Sequence, residues 1–153
     1  HGDGTEEILA DRPGVRFLSL FQWPLFPHRR MEPTPSNAVL SPLPAGAGGE
    51  DIRNVVENVW LPEIDKFQPD LMILSAGFDA HCEERIAQLK AGEMDYACVT
   101  RLLVEASFAY CEGRLVSVLE GGYELRSLAR SVFTHLQGLI RNPLPAETCK
   151  DPN

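Results

Sequence analysis

A short, entirely apolar run is the feature that most constrains the fold of this chain. Residues 71–77 read Leu-Met-Ile-Leu-Ser-Ala-Gly, and Asp79 and His81 follow directly. An apolar run of this length that ends at a glycine predicts a strand buried on both faces, as in a parallel sheet. Ligands of such sheets bind beyond the carboxyl ends of the strands. Asp79 is therefore placed where chemistry is usual, and a carboxylate with a nearby histidine suits zinc.

Two further segments predict strands of the same kind. Residues 15–21 read Val-Arg-Phe-Leu-Ser-Leu-Phe, and residues 114–119, Arg-Leu-Val-Ser-Val-Leu, run into Glu-Gly-Gly-Tyr at 120–123. A glycine pair after a buried strand lets the backbone turn sharply and approach a ligand closely. Tyr123 thus follows a strand end, as Asp79 does, and its phenol can donate or accept a hydrogen bond.

Helical periodicity separates the predicted strands. Apolar side chains recur at helical spacing over residues 50–67, where we expect Pro62 to kink or split the helix. Further helices are predicted from about 95 to 112 and from 125 to about 141. Strands that alternate with long helices imply right-handed parallel crossovers. We therefore predict an α/β fold, a three-layer α/β/α sandwich with a mainly parallel sheet.

Other stretches lack this periodicity. Residues 23–48 are rich in proline and predict a long irregular segment, either functional or a mobile surface loop. Residues 82–94 are polar and predict a loop or a short helix, and we expect the tail at 142–153 to fray. Residues 1–5, His-Gly-Asp-Gly-Thr, resemble a strand-end loop without its strand, so we expect the chain to be a fragment.

Composition narrows the class of protein. The 153 residues suit one domain, and 22 acidic against 14 basic residues give a net charge of −8, which argues against a nucleic-acid surface. No apolar run is long enough to predict a membrane span. The four cysteines show no C-x-x-C spacing, and Cys98 and Cys111 fall within a predicted helix, so we interpret them as small core or boundary residues in a reducing compartment. A cytosolic or nuclear protein is then the default expectation. The four cysteines are Cys82, Cys98, Cys111 and Cys149.

Each candidate residue also has a purely structural interpretation. Asp79 could cap the following helix instead of binding a metal. His81 could be a ligand, support a ligand or lie on the surface, and we favour the surface. Tyr123 could pack as an aromatic or polarise a carbonyl. Ser19 could simply end a strand, and His135 is expected to be a hydrogen-bonded helix residue. No G-x-S-x-G, Walker or Rossmann motif is present.

Five segments in order resemble motifs of the zinc-dependent histone deacetylase family, which includes the acetylpolyamine amidohydrolases. They are residues 1–5, residues 19–27 (Ser-Leu-Phe-Gln-Trp-Pro-Leu-Phe-Pro), residues 37–48, residues 75–81 (Ser-Ala-Gly-Phe-Asp-Ala-His, similar to the class II form) and residues 119–123 (Leu-Glu-Gly-Gly-Tyr). The resemblance implies the arginase/deacetylase fold, truncated at its N-terminus. Residues 1–141 would be the C-terminal part of the catalytic domain, and 142–153 a tail.

The resemblance also implies a chemistry. The family uses zinc, held by two aspartates and one histidine, to activate water for attack on an acetyl-lysine amide. Asp79 matches one of the zinc ligands. Tyr123 matches the catalytic tyrosine, which hydrogen-bonds the acetyl oxygen as the tetrahedral intermediate forms.

Further positions match the surroundings of that site. Phe26 matches an aromatic residue that lines the acyl-lysine tunnel, and Gly121 and Gly122 match the substrate-side glycines before the tyrosine. Ser19 matches a residue near a structural monovalent cation, usually potassium. His1 matches the second histidine of a His-His pair near the site.

The resemblance implies acetylated substrates, either acetyl-lysine proteins such as histone tails or acetylpolyamines, with no direct contact to nucleic acid or membrane. We expect the parent protein in the nucleus, the cytoplasm or both. The other zinc ligands and the tandem histidines would lie before residue 1, so we expect this fragment alone to be inactive. A non-catalytic interaction module that keeps the deacetylase fold is the alternative.

Overall fold

The computed structural model describes residues 2–26 and 34–140. Its elements follow the chain in an alternating α/β order. They are α1 Asp3–Leu9, β1 Phe17–Gln22, β2 Ala38–Leu43, α2 Gly49–Val55, a π-helical turn Val56–Trp60, α3 Leu61–Phe67, β3 Met72–Ala76, α4 Glu93–Cys111, β4 Leu115–Leu119 and α5 Leu125–Leu139. The predicted α/β class with parallel strands is confirmed.

Strands β1 and β2 pair in parallel, with Phe17 opposite Ala38 and Gln22 opposite Leu43. Strand β1 was predicted, but β2 lies inside the segment predicted to be irregular, and that prediction was wrong. Pro42 argued against a strand because proline cannot donate a hydrogen bond to a neighbouring strand. A strand at the edge of a sheet nevertheless tolerates a proline. Among the described strands β2 pairs only with β1.

Strands β3 and β4 also pair in parallel, with Met72 opposite Leu115 and Ala76 opposite Leu119. Helix α4 provides the crossover between them, as the alternating pattern predicted. Within residues 2–26 and 34–140 the four strands form two separate pairs. Each pair has its own carboxyl-terminal strand ends, so there are two places at which ligands could bind.

The prediction that β3 is buried on both faces was wrong for the described residues. Met72 and Leu74 pack in a cluster with α3 and α4, whereas Ile73 on the opposite face is 68% exposed. Val116 and Val118 of β4 are exposed in the same way. The apolar side chains of this run would allow both faces of the strand to be buried, but the described helices cover only one face.

Pro62 lies in a continuous helical segment that is widened just before it. The π-helical turn Val56–Trp60 separates α2 from α3, and Pro62 occupies the first turn of α3, where its missing N–H costs little. The helical segment continues through Pro62, so the predicted split at this residue was wrong. The helix ends at Gln68, which has a left-handed backbone.

Two apolar clusters meet along α4. One gathers around Ile52 and Ala91, and the other around Val56 and Leu103, and Val99 of α4 packs against both. Helix α4 also packs extensively against α5. It therefore fixes the loop between β3 and α4, which begins at Gly77, relative to the end of β4. No helix in the described part of the chain has the length and hydropathy to cross a membrane.

Candidate functional site

The carboxyl ends of β3 and β4 lie side by side because the two strands are parallel neighbours. The pairing continues past the strands: Glu120 N–H donates to Ala76 O at 3.0 Å, and Phe78 N–H donates to Gly121 O at 2.9 Å. These bonds bring Asp79 next to the glycine pair of the other strand. The predicted juxtaposition of Asp79 with this turn is therefore present.

The carboxylate of Asp79 lies directly over the backbone of Gly121. A Cβ atom added to Gly121 would lie 2.8 Å from Asp79 Cγ and 2.9 Å from its Oδ2. A Cβ on Gly77 would lie 3.0 Å from Asp79 Oδ1. The carboxylate is thus held between two glycines, and any larger side chain at either position would occupy its space.

Gly122 is required for a different reason. Its φ of +129° is a conformation that residues with a side chain rarely adopt. A Cβ there would also lie 2.7 Å from Leu128 Cδ1 and 3.3 Å from Phe78 Cβ. Gly121 therefore makes room for a carboxylate, whereas Gly122 lets the backbone turn toward Tyr123.

The Tyr123 side chain is 61% exposed, but its backbone is held. Its N–H donates to Glu84 Oε2 at 2.8 Å, and the next N–H, of Glu124, donates to the same oxygen at 3.2 Å. Partial burial acts to raise the pKa of Glu84, but backbone hydrogen bonds, including those from Tyr123, Arg85 and Glu124, together hold it below the usual value. Glu84 is therefore an anion that fixes the turn carrying Tyr123.

Sequence reasoning missed Glu84. Its partners are backbone amides about forty positions further along the chain, and such amides carry no side-chain signature. The available signal was weak: an acidic residue in the polar loop that follows Asp79.

His81 is buried, with 2% of its surface exposed, so the expectation that it lies on the surface was wrong. Glu83 N–H donates to its Nδ1 at 3.1 Å, and its Nε2 lies 3.5 Å from Glu93 Oε1. Arg130 of α5 contacts both Glu83 and Glu93. The surface expectation failed because this burial depends on elements that meet only in the folded chain.

Tyr96 of α4 packs between two residues of the same loop. Its ring centroid lies 5.0 Å from that of Phe78 and 6.5 Å from that of His81, with the His81 ring parallel to within 4°. Burial, with the charge of Asp79 as a further cause, raises the pKa of Tyr96 above its ordinary value. Tyr96 therefore stays a neutral phenol and anchors the loop on α4.

His135 is a hydrogen-bonded helix residue, as expected. Its Nδ1 lies 2.7 Å from Thr100 Oγ1, and its Nε2 lies 2.8 Å from Ser117 Oγ. Because Thr100 already donates its hydroxyl proton to Tyr96 O, Nδ1 must donate to Thr100, and Nε2 then accepts from Ser117. Burial lowers the pKa of His135, which agrees with this neutral form.

The other predicted site residues lie on β1, shortly after it, or outside the described residues. Ser19 is buried in β1, and a Cβ on Gly2 would lie 3.8 Å from its Oγ. Phe26 is 63% exposed at the end of the first described stretch. His1 lies outside the described residues. The roles matched to Ser19, Phe26 and His1 stay predictions.

The interpretation of Cys98 as a residue in a reducing compartment was wrong. Cys98 is disulfide-bonded, whereas Cys82 and Cys111 are free. The interpretation used sequence spacing, but a disulfide depends on the distance between Cα atoms in the fold.

Asp79 offers the kind of oxygen ligand that zinc accepts. However, among residues 2–26 and 34–140 no three His, Cys, Asp or Glu side chains are grouped so that they could hold a metal ion. The described residues thus fit a single ligand of a zinc site and do not form a complete one. What they do form is a carboxylate and a phenol-bearing turn on adjacent parallel strand ends, a site class typical of α/β enzymes.

The comparisons with known proteins give this class its family. The sequence profile of the histone deacetylase domain matches residues 1–139, so the chain belongs to the histone deacetylase domain family. It is 36% identical over 131 residues to a probable deacetylase of Archaeoglobus fulgidus, covering 82% of this chain and 36% of that protein. It is 33% identical to chloroplastic histone deacetylase 14 of Arabidopsis thaliana, covering 92% and 34%. The chain spans about a third of the length of these relatives.

Solved structures support the same family assignment. The crystal structure of the HDA15 HD domain superposes with a TM-score of 0.83 at 30% identity, and covers 99% of this chain and 44% of that one. The structure of the histone deacetylase Clr3 gives a TM-score of 0.82 at 30% identity, covering 92% and 25%. The predicted arginase/deacetylase fold is confirmed.

Proposed function

We propose that the polypeptide to which this chain belongs hydrolyses the acetyl amide of acetyl-lysine in a zinc-dependent reaction. The observation that carries the proposal is the packing of the Asp79 carboxylate on Gly121, two residues before Tyr123. This contact supports the proposal because it brings a carboxylate, a ligand type that zinc accepts, next to the turn that carries Tyr123.

In this proposal Asp79 is one zinc ligand, and the remaining ligands come from outside the described residues. The bound metal would supply Lewis-acid activation of water. The phenol of Tyr123 donates a hydrogen bond to the acetyl oxygen as negative charge develops on it. The exposure of the Tyr123 side chain leaves its hydroxyl accessible to a substrate.

The proposed substrates are acetylated lysine side chains of proteins such as histone tails. Acetylpolyamines are the second candidate, since the chain is 32% identical over 160 residues to human polyamine deacetylase HDAC10, covering 95% of this chain and 23% of that protein. Comparing turnover of an acetyl-lysine peptide with that of acetylspermidine separates the two. A nuclear or cytoplasmic location of the parent protein is proposed with this function.

We also propose that the isolated chain is inactive, because one protein ligand does not hold a catalytic zinc. Metal-dependent hydrolysis of an acetyl-lysine peptide by these 153 residues alone would overturn that statement.

The mechanism is tested with Tyr123→Phe in a polypeptide that carries the whole family domain. Loss of one oxyanion donor is expected to lower kcat about 100- to 1000-fold while zinc stays bound. Tyr110→Phe is the matched control, since Tyr110, in the last turn of α4, donates its hydroxyl proton to Asp65 Oδ1 of α3 at 2.9 Å. Normal turnover by Tyr123→Phe would remove this residue from the mechanism.

A further inference from the structure

We propose that Glu84 is the positioning residue of Tyr123: its carboxylate holds the backbone of Tyr123 and Glu124 and thereby sets where the phenol lies relative to Asp79. This inference rests on the proposed function. One oxygen, Oε2, accepts both amide protons, at 2.8 Å and 3.2 Å. Hydrogen bonds to an ionised carboxylate are stronger than those between neutral groups.

The backbone of Glu84 is itself anchored. Its N–H donates to His81 O at 2.9 Å, and its Oε1 accepts the N–H of Arg85 at 2.8 Å. His81 is fully enclosed between Tyr96 and the loop. The side chain of Glu84 therefore extends from a fixed point.

A neighbouring glutamate shows that the contact is specific. Glu83 turns the other way and pairs with Arg130 at 2.5 Å, and Arg130 also contacts Glu93 at the start of α4. Of the two adjacent acidic side chains, only Glu84 contacts the Tyr123 turn. The same loop thus carries Asp79 at its start and the clamp on Tyr123 five residues later.

The clamp matters because, among the described residues, the Glu84 carboxylate makes the side-chain hydrogen bonds that hold the Tyr123 turn. The Tyr123 side chain is mostly exposed, and the preceding Gly122 has a φ of +129°, a region that glycine enters and leaves at little cost. Without Glu84, the turn would sample other conformations, and the phenol would lose its alignment with a substrate carbonyl. Such misplacement lowers kcat more than it weakens substrate binding.

The contact is tested first by amide hydrogen exchange on the chain itself. Glu84→Ala is expected to speed exchange of the Tyr123 and Glu124 amides about tenfold or more. Glu83→Ala, the matched control, should leave both amides protected. Glu84→Gln keeps an acceptor oxygen and the shape of the side chain, so it should restore part of the protection even if the alanine variant is too unstable to study. Unchanged exchange in both Glu84 variants would refute the clamp.

The consequence is tested by turnover in a polypeptide with the whole domain. Glu84→Ala should lower kcat about 10- to 100-fold with KM nearly unchanged, Glu84→Gln should recover part of it, and Glu83→Ala should match wild type. Faster exchange with normal kcat would refute the positioning role and leave the proposed function standing. An inactive wild-type protein would instead refute the proposed function, and the exchange data would then decide the structural contact alone.

Discussion

Replacing Gly121 by alanine tests the central contact of the site with a single methyl group. Gly121 does not have a positive φ, unlike Gly122, so alanine fits the backbone and the effect is purely steric. The added Cβ would lie 2.8 Å from Asp79 Cγ, whereas ordinary contacts begin at 3.4 Å. The carboxylate must therefore move by about 0.6 Å, which exceeds the tolerance of about 0.2 Å that zinc–ligand distances allow.

The stability cost should be small, because the end of the Asp79 side chain can rotate. We expect about 1 kcal/mol, the low end of what overpacking costs, measured by urea unfolding. Zinc affinity in a polypeptide with the whole domain should fall far more, about 10- to 100-fold, the loss typical when a ligand is misoriented.

Gly4→Ala is the matched control, since a Cβ there meets nothing within 4 Å. Zinc affinity is measured by competition with a chelator for wild type and both variants. Wild-type affinity in Gly121→Ala would show that the carboxylate of Asp79 does not bind zinc from the position seen here.

Three further predictions concern stability and pH. Burial lowers the pKa of His135, so the unfolded chain takes up a proton on this residue at a higher pH than the folded chain does. The free energy of unfolding should therefore be at its full value above about pH 6.5 and decrease as the pH falls, by at most about 1.4 kcal/mol per pH unit. His135→Asn should flatten this slope in urea titrations. The pKa of Glu84 is held below its usual value, so the Tyr123 amide should be protected from exchange at any pH above the ordinary pKa of glutamate. Protection should be lost as the pH falls through the lowered pKa of Glu84, and protection that does not change with acid would contradict this. Gly113 has a φ of +77° and packs on the Phe108 ring, so Gly113→Ala should destabilise the chain by about 1 kcal/mol or more in thermal or urea unfolding, and an unchanged midpoint would contradict the described end of α4.

The positions of Asp79 and Tyr123 followed from sequence because they depend on local rules. Apolar runs that lead to glycines indicate strands, and helices between them make the strands parallel. Parallel neighbours then bring their carboxyl ends together. The same reasoning could not locate β2, where Pro42 and Ser41 interrupt the apolar pattern.

The remaining features depend on contacts between distant parts of the chain. His81 is buried where the Tyr96 ring stacks on it and where Cys82 N–H donates to Ala91 O at 2.8 Å. Glu84 acts on backbone amides, whose identity no sequence pattern reveals. The contacts of polar loop residues such as His81 and Glu84 therefore could not be predicted from the sequence and required the structure.

The most direct test of the proposal is the amount of bound zinc, measured by mass spectrometry of a polypeptide with the whole family domain. Wild type and Tyr123→Phe are expected to hold about one zinc ion each, and Asp79→Ala nearly none. Equal zinc in all three proteins would contradict the assignment of Asp79 as a metal ligand and, with it, the proposed site.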